Sequence, residues 1–100
     1  MSAPTAVEIG SLITRTDSIC GGRPRIAGTG VSVGRVVVWY KLGHAPEEIA
    51  DRIGHLSLAQ VHAALAYYHA NREILEAGLA AEEAEADRLE REHVAAHPRT

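Results

Sequence analysis

Ser57-Leu58-Ala59-Gln60-Val61-His62-Ala63-Ala64-Leu65-Ala66-Tyr67-Tyr68-His69-Ala70 has the pattern of a core helix. Leu58, Val61, Leu65 and Tyr68 recur at the three- and four-residue steps that bring side chains to one helical face. Ser57 suits an N-cap, since its hydroxyl can accept from the unpaired N–H groups of a first turn, so a helix is predicted from Leu58. Just upstream, Pro46 to Ile53 reads as a short helix: proline fits the first helical position, and Glu47 and Glu48 suit the positive end of the helix dipole. Gly54-His55-Leu56 would join the two as a helix-turn-helix.

Upstream, Val31 to Leu42 (VSVGRVVVWYKL) carries the valines of a strand but the spacing of a helix. Alternation would leave valines on both faces, whereas a helix gathers Val33, Val36, Val37 and Tyr40 and ends at Gly43. Met1 to Thr5 lacks any pattern and is expected to fray. Val7 to Thr16 suggests a short strand through Ile9, Leu12, Ile13, Thr14 and Thr16. Cys20 to Gly30 is rich in turn formers, and Pro24 lacks a backbone donor, which predicts a loop of hairpin character with an edge strand. Beyond Ala70, the Ala-, Glu-, Arg- and Leu-rich sequence favours helix to about His97, where Pro98 stops it. Unbroken from Leu58 that helix would reach about 60 Å, and Gly78 is the natural place for a bend. The predicted class is mainly α: a short N-terminal β-hairpin, a three-helix core and a long C-terminal helix. The predicted parts are a flexible N-terminus (1–6), hairpin plus core (7–71) and an acidic extension (72–100).

One hundred residues, 46% of them hydrophobic, support one modest core. With no phenylalanine, it must be built from Val, Ile, Leu and Ala. A lone cysteine, Cys20, excludes an internal disulfide, and the N-terminal stretch has no signal-peptide pattern, so a cytoplasmic setting is expected. No apolar run approaches the roughly 18 residues of a membrane span. Residues 1–71 carry six Lys and Arg against five Asp and Glu; residues 72–100 carry four Arg against eight acids. The acidity therefore sits in the tail, and a general nucleic-acid binder, which shows a basic excess, is not expected.

Cys20-Gly21-Gly22-Arg23-Pro24-Arg25-Ile26-Ala27-Gly28-Thr29, then Val31-Ser32-Val33, Gly43-His44-Ala45-Pro46-Glu47-Glu48-Ile49 and Leu58 to Tyr68 resemble DUF433, a bacterial domain-of-unknown-function family. The resemblance spans roughly residues 8–70. It implies a hairpin followed by a homeodomain-like helix-turn-helix fold, and a role similar to antitoxins of the VapB kind, whose partner is a nuclease-like toxin. The family usually has Arg after Gly-Thr, and here Gly30 stands there, so whatever that arginine contacts is missing. The tail lies outside the shared core.

A DNA-binding helix-turn-helix would place the first turns of the Ser57 helix in the major groove, with Ser57 on phosphate and Gln60 on an adenine edge. Residues 53–71 contain no Lys or Arg, so phosphate neutralisation would fall to Arg23, Arg25, Arg35, Lys41 and Arg52. The alternative is a purely structural three-helix core. His55, His62 and His69 lie seven apart, about 10 Å along a helix axis and too far for one metal ion, so exposed or interface histidines are the plainer reading. Gly28-Thr29-Gly30-Val31-Ser32-Val33-Gly34 lacks the spacing of a dinucleotide or phosphate loop, and Cys20 has no histidine partner in sequence. No enzyme, cofactor or metal is expected. Two functions from different classes remain: an antitoxin-like regulator binding operator DNA and a nuclease-like toxin, or a dimeric protein-interaction module without DNA affinity. In both, Leu65, Tyr68, Leu75, Leu79 and Leu89 are candidates for dimerisation or partner binding, since they present more apolar helix than one small core covers.

Overall fold

A computed structural model describes residues 5–96. The architecture is mainly helical, with a two-stranded antiparallel hairpin near the N-terminus. The chain divides into two units, one ending at Ala70 and one beginning at Asn71.

In the first unit, Ile13–Thr14 (β1) pairs with Arg25–Ile26 (β2), Ile13 opposite Ile26 and Thr14 opposite Arg25. The strand expected over Val7–Thr16 is thus only two residues long. Ile9–Leu12 instead winds into a turn of 3-10 helix. Ser11 explains the difference: its hydroxyl and its own N–H both donate to Glu8 O, at 2.6 and 2.9 Å, which gives the backbone a local alternative to a ladder. After β2 the chain turns back on itself, with Gly28 at φ 78°, and Arg25 forms a second antiparallel bridge with Ser32. Ile26 N–H donates to Val31 O and Val33 N–H to Pro24 O, both at 2.9 Å. Pro24 serves here only as an acceptor, so its missing donor costs nothing.

Val33–Lys41 (α1) follows, capped by Ser32, whose Oγ accepts from Arg35 N–H at 3.1 Å. Val33, Val36 and Val37 are fully buried, and that burial overrides the weak helix propensity of β-branched residues. Tyr40 is 40% exposed, so it does not join them as expected; its ring meets His69 edge-on at 6.1 Å. Gly43, at φ 96°, ends the helix, its N–H donating to Tyr40 O.

Pro46–Arg52 (α2) buries Ile49 and Ala50. The turn after it contains two successive left-handed residues, Gly54 (φ 59°) and His55 (φ 54°). They reverse the chain between buried Ile53 and Leu56. Leu58–Ala70 (α3) then packs on α1, α2 and the hairpin, burying Val61, Ala63, Ala64, Leu65 and Tyr68. Leu58, in its first turn, is 42% exposed and lies off the expected face.

The α3 start is a reciprocal cap. Gln60 N–H donates to Ser57 Oγ at 3.1 Å, and Ser57 N–H donates to Gln60 Oε1 at 2.7 Å. Ser57→Ala is expected to cost about 1 kcal/mol. In thermal denaturation of a domain this size that is a fall of roughly 4–8 °C. An unchanged melting temperature would mean that solvent satisfies the first turn equally well.

The second unit contains Arg72–Ala96 (α4). The break comes at Asn71, and α4 continues uninterrupted through Gly78. Arg88 bridges Glu85 and Glu92, the latter at 2.7 Å. Among the described residues Asp87 and Arg91 do not pair. The expectations for the first four residues and for the stop at Pro98 lie outside the described residues. No described helix is long and apolar enough to cross a membrane.

Candidate functional site

The residues proposed for DNA are spread over separate elements. Arg23 precedes β2, Arg25 lies in it, Arg35 and Lys41 sit in the first and last turns of α1, and Arg52 ends α2. Arg35 and Lys41 are six positions apart, about 9 Å along the helix. Several already have local work. Arg25 is only 9% exposed; its Nη1 donates to Thr29 O and its Nη2 to Thr16 Oγ1, both at 3.0 Å. The Arg52 guanidinium lies 5.9 Å from the Trp39 ring centroid. Ser57 Oγ and Gln60 Oε1 are the two halves of the α3 cap. The helix that would enter a groove is also the one that carries much of the core.

The histidines separate likewise. His55 lies in the turn before α3, while His62 and His69 are exposed on it. Among the described residues, no three His, Cys, Asp or Glu come together as a metal site would require.

The partner-binding leucines divide by burial. Leu65 and Tyr68, assigned to an interface from the sequence, are core residues of α3 at 7% and 2% exposed, on the helix that packs against α1 and α2. Leu75 is buried and Leu79 half-buried. Leu89 is exposed, as are Ile74 and Val94, which sequence reasoning did not single out.

One polar cluster was missed altogether. Trp39, the only tryptophan, packs against His44 with ring centroids 4.8 Å apart and carries Arg52 on its face. His44 Nδ1 lies 3.3 Å from Glu48 Oε2, and Glu48 Oε1 accepts from Ala45 N–H at 3.4 Å. The signal was available: His44, Glu48 and Arg52 follow at four-residue steps. The hydrogen bond from His44 is the main cause that lowers the Glu48 carboxyl below its ordinary value, followed by Ala45 N–H; burial opposes them, and the charges of His44 and Arg52 add the least. A carboxyl lowered on folding contributes stability above the unfolded carboxylate range and loses it as pH falls through the lowered value. Glu48→Gln is therefore expected to flatten the acid limb of a melting-temperature profile while leaving its shape elsewhere. An identical acid limb in the variant would show that Glu48 is not among the groups responsible.

A family model described as a protein of unknown function, DUF433, matches residues 13–68, from β1 into α3. The chain is also similar to the crystal structure of a DUF433 member protein from Anabaena variabilis ATCC 29413, with 28% identity and a TM-score of 0.65. The alignment covers 70% of this chain and 69% of that one. No curated protein matches.

Proposed function

This chain belongs to the DUF433 family, proteins of unknown function, and we propose that it is an antitoxin-like protein-interaction module whose α4 takes a basic, nuclease-like toxin as partner. The observation that carries the reading is α4 itself: 25 residues, almost all exposed, with an excess of carboxylates and with Ile74, Leu89 and Val94 open to solvent. A helix of that composition has little to gain from water alone and is marginal in isolation. Clustered carboxylates would attract a basic protein and compete for the surface with which it holds phosphate.

Protein capture is favoured over operator binding because the presumed recognition helix has no cation and its two polar candidates cap each other. The exposed apolar residues of α4 also support self-association. Light scattering on the full chain at micromolar concentration is expected to report a dimer or larger, and a monodisperse monomer would count against it. The lone cysteine fits a cytoplasmic setting.

The experiment is co-expression with the product of the reading frame next to this gene. The full chain is expected to co-purify with it, and Leu89→Glu, which keeps helical circular dichroism, to lose it. Undiminished capture by Leu89→Glu would remove this face of α4 from the interface.

A further inference from the structure

We propose that Arg25, whose guanidinium is held by Thr16 Oγ1 and Thr29 O and whose backbone pairs with Ser32, the cap of α1, binds a small tetrahedral oxyanion, either inorganic phosphate or a phosphate monoester. Residues directly opposite in antiparallel pairing project to one face of a sheet. The pairings Thr14 with Arg25 and Arg25 with Ser32 therefore place two hydroxyl residues on either side of the arginine. Thr16 joins them through its hydrogen bond to Nη2.

Arg25 is more than nine-tenths buried, yet among the described residues it has no carboxylate partner and its Nε–H has no acceptor. A buried cation left without a counter-charge is destabilising, and a buried donor left unpaired adds to the cost. A bound oxyanion would remove both penalties.

The surroundings suit an anion rather than another neutral group. Thr16 Oγ1 and Ser32 Oγ each act as acceptors here, toward Arg25 and Arg35 N–H, so each hydroxyl hydrogen is available to donate. The first turn of α1 holds no acid, and the exposed Arg35 follows within it, so the positive end of the helix dipole is uncancelled. Several donors around one guanidinium match the oxygens of a phosphate better than the two of a carboxylate. A phosphodiester backbone is a poor fit, because polymer binding needs a run of cations that this chain does not assemble.

The test titrates the full-length protein with sodium phosphate, glycerol phosphate and acetate, holding ionic strength constant with sodium chloride. Nitrogen-resolved NMR follows the Arg25 Nε–H and the Ser32 and Arg35 amides, and thermal melting runs in parallel. Saturable shifts at these positions with phosphate, the monoester or both, and a rise in melting temperature beyond that with chloride, are expected. Arg35→Ala, at an exposed position, should weaken the phosphate effect, and Arg25→Met should weaken it about tenfold or more. Should Arg25→Met fail to fold, the wild-type Nε–H shift and the Arg35→Ala titration still decide. Shifts no larger than with chloride, equal saturation by acetate, or an unaltered titration in Arg35→Ala would each overturn the proposal.

Discussion

Ile49→Ala is expected to remove about 2–5 kcal/mol from the stability of the first unit. Ile49 is fully buried in α2 and belongs to a core with no phenylalanine and few aromatic side chains. Small aliphatic residues leave little slack to refill a cavity, because a close-packed interior relaxes only in part. A domain of this size has roughly 4–10 kcal/mol in all, so the loss takes a large share. Equilibrium urea unfolding followed by Trp39 fluorescence reads it as a midpoint shift at constant slope. A shift worth less than about 1 kcal/mol would mean that α1 and α3 close over the vacated space.

Ending the chain at Asn71 is expected to abolish partner capture while leaving a cooperative melting transition. Among the described residues, the buried hydrophobic side chains of the first unit, from Ile26 to Tyr68, are all retained. The caps of α1 and α3 and the hairpin pairing also lie before Asn71. What goes is α4, whose Arg88 pairs with Glu85 and Glu92 are exposed to solvent and contribute little. Calorimetry on the truncated chain should show one sharp transition, and co-purification with the neighbouring gene product should fall to background. A truncated chain with no cooperative transition would assign the tail to the fold; one that still captures the partner would move the binding surface off α4.

The helices were legible because punctuation and periodicity agree there. Ser57, Pro46 and Gly43 mark ends that the spacing of Val33, Val36, Val37, Val61, Leu65 and Tyr68 independently requires. The misreadings came where a local bond outweighed the pattern. Ser11 turned a strand-like stretch into a 3-10 turn by bonding to Glu8. Gln60 looked like a reader of base edges, yet Ser57-x-x-Gln60 is also the spacing of a capping box, and the cap is what forms. Asn71 interrupts the helix where Gly78 was expected to bend it. A lone glycine inside a helix costs about 1 kcal/mol and is often tolerated, whereas an asparagine side chain competes for backbone hydrogen bonds. Arg25 was named as a phosphate contact, but its burial could not be read in advance, because only the pairing of three separated segments places it among hydroxyls.

The placement of the aromatic rings separates the two units for an observer. Trp39, Tyr40, Tyr67 and Tyr68 are all the aromatic residues of the chain, and each precedes Asn71. Near-ultraviolet absorption and intrinsic emission are therefore blind to α4, while far-ultraviolet ellipticity records its 25 residues together with the shorter helices. Heating or diluting the unlabelled protein gives two optical channels, one confined to the first unit and one summed over both. Any gap between the two curves is the melting of α4, and its disappearance on adding a partner would time the moment at which that helix is taken up.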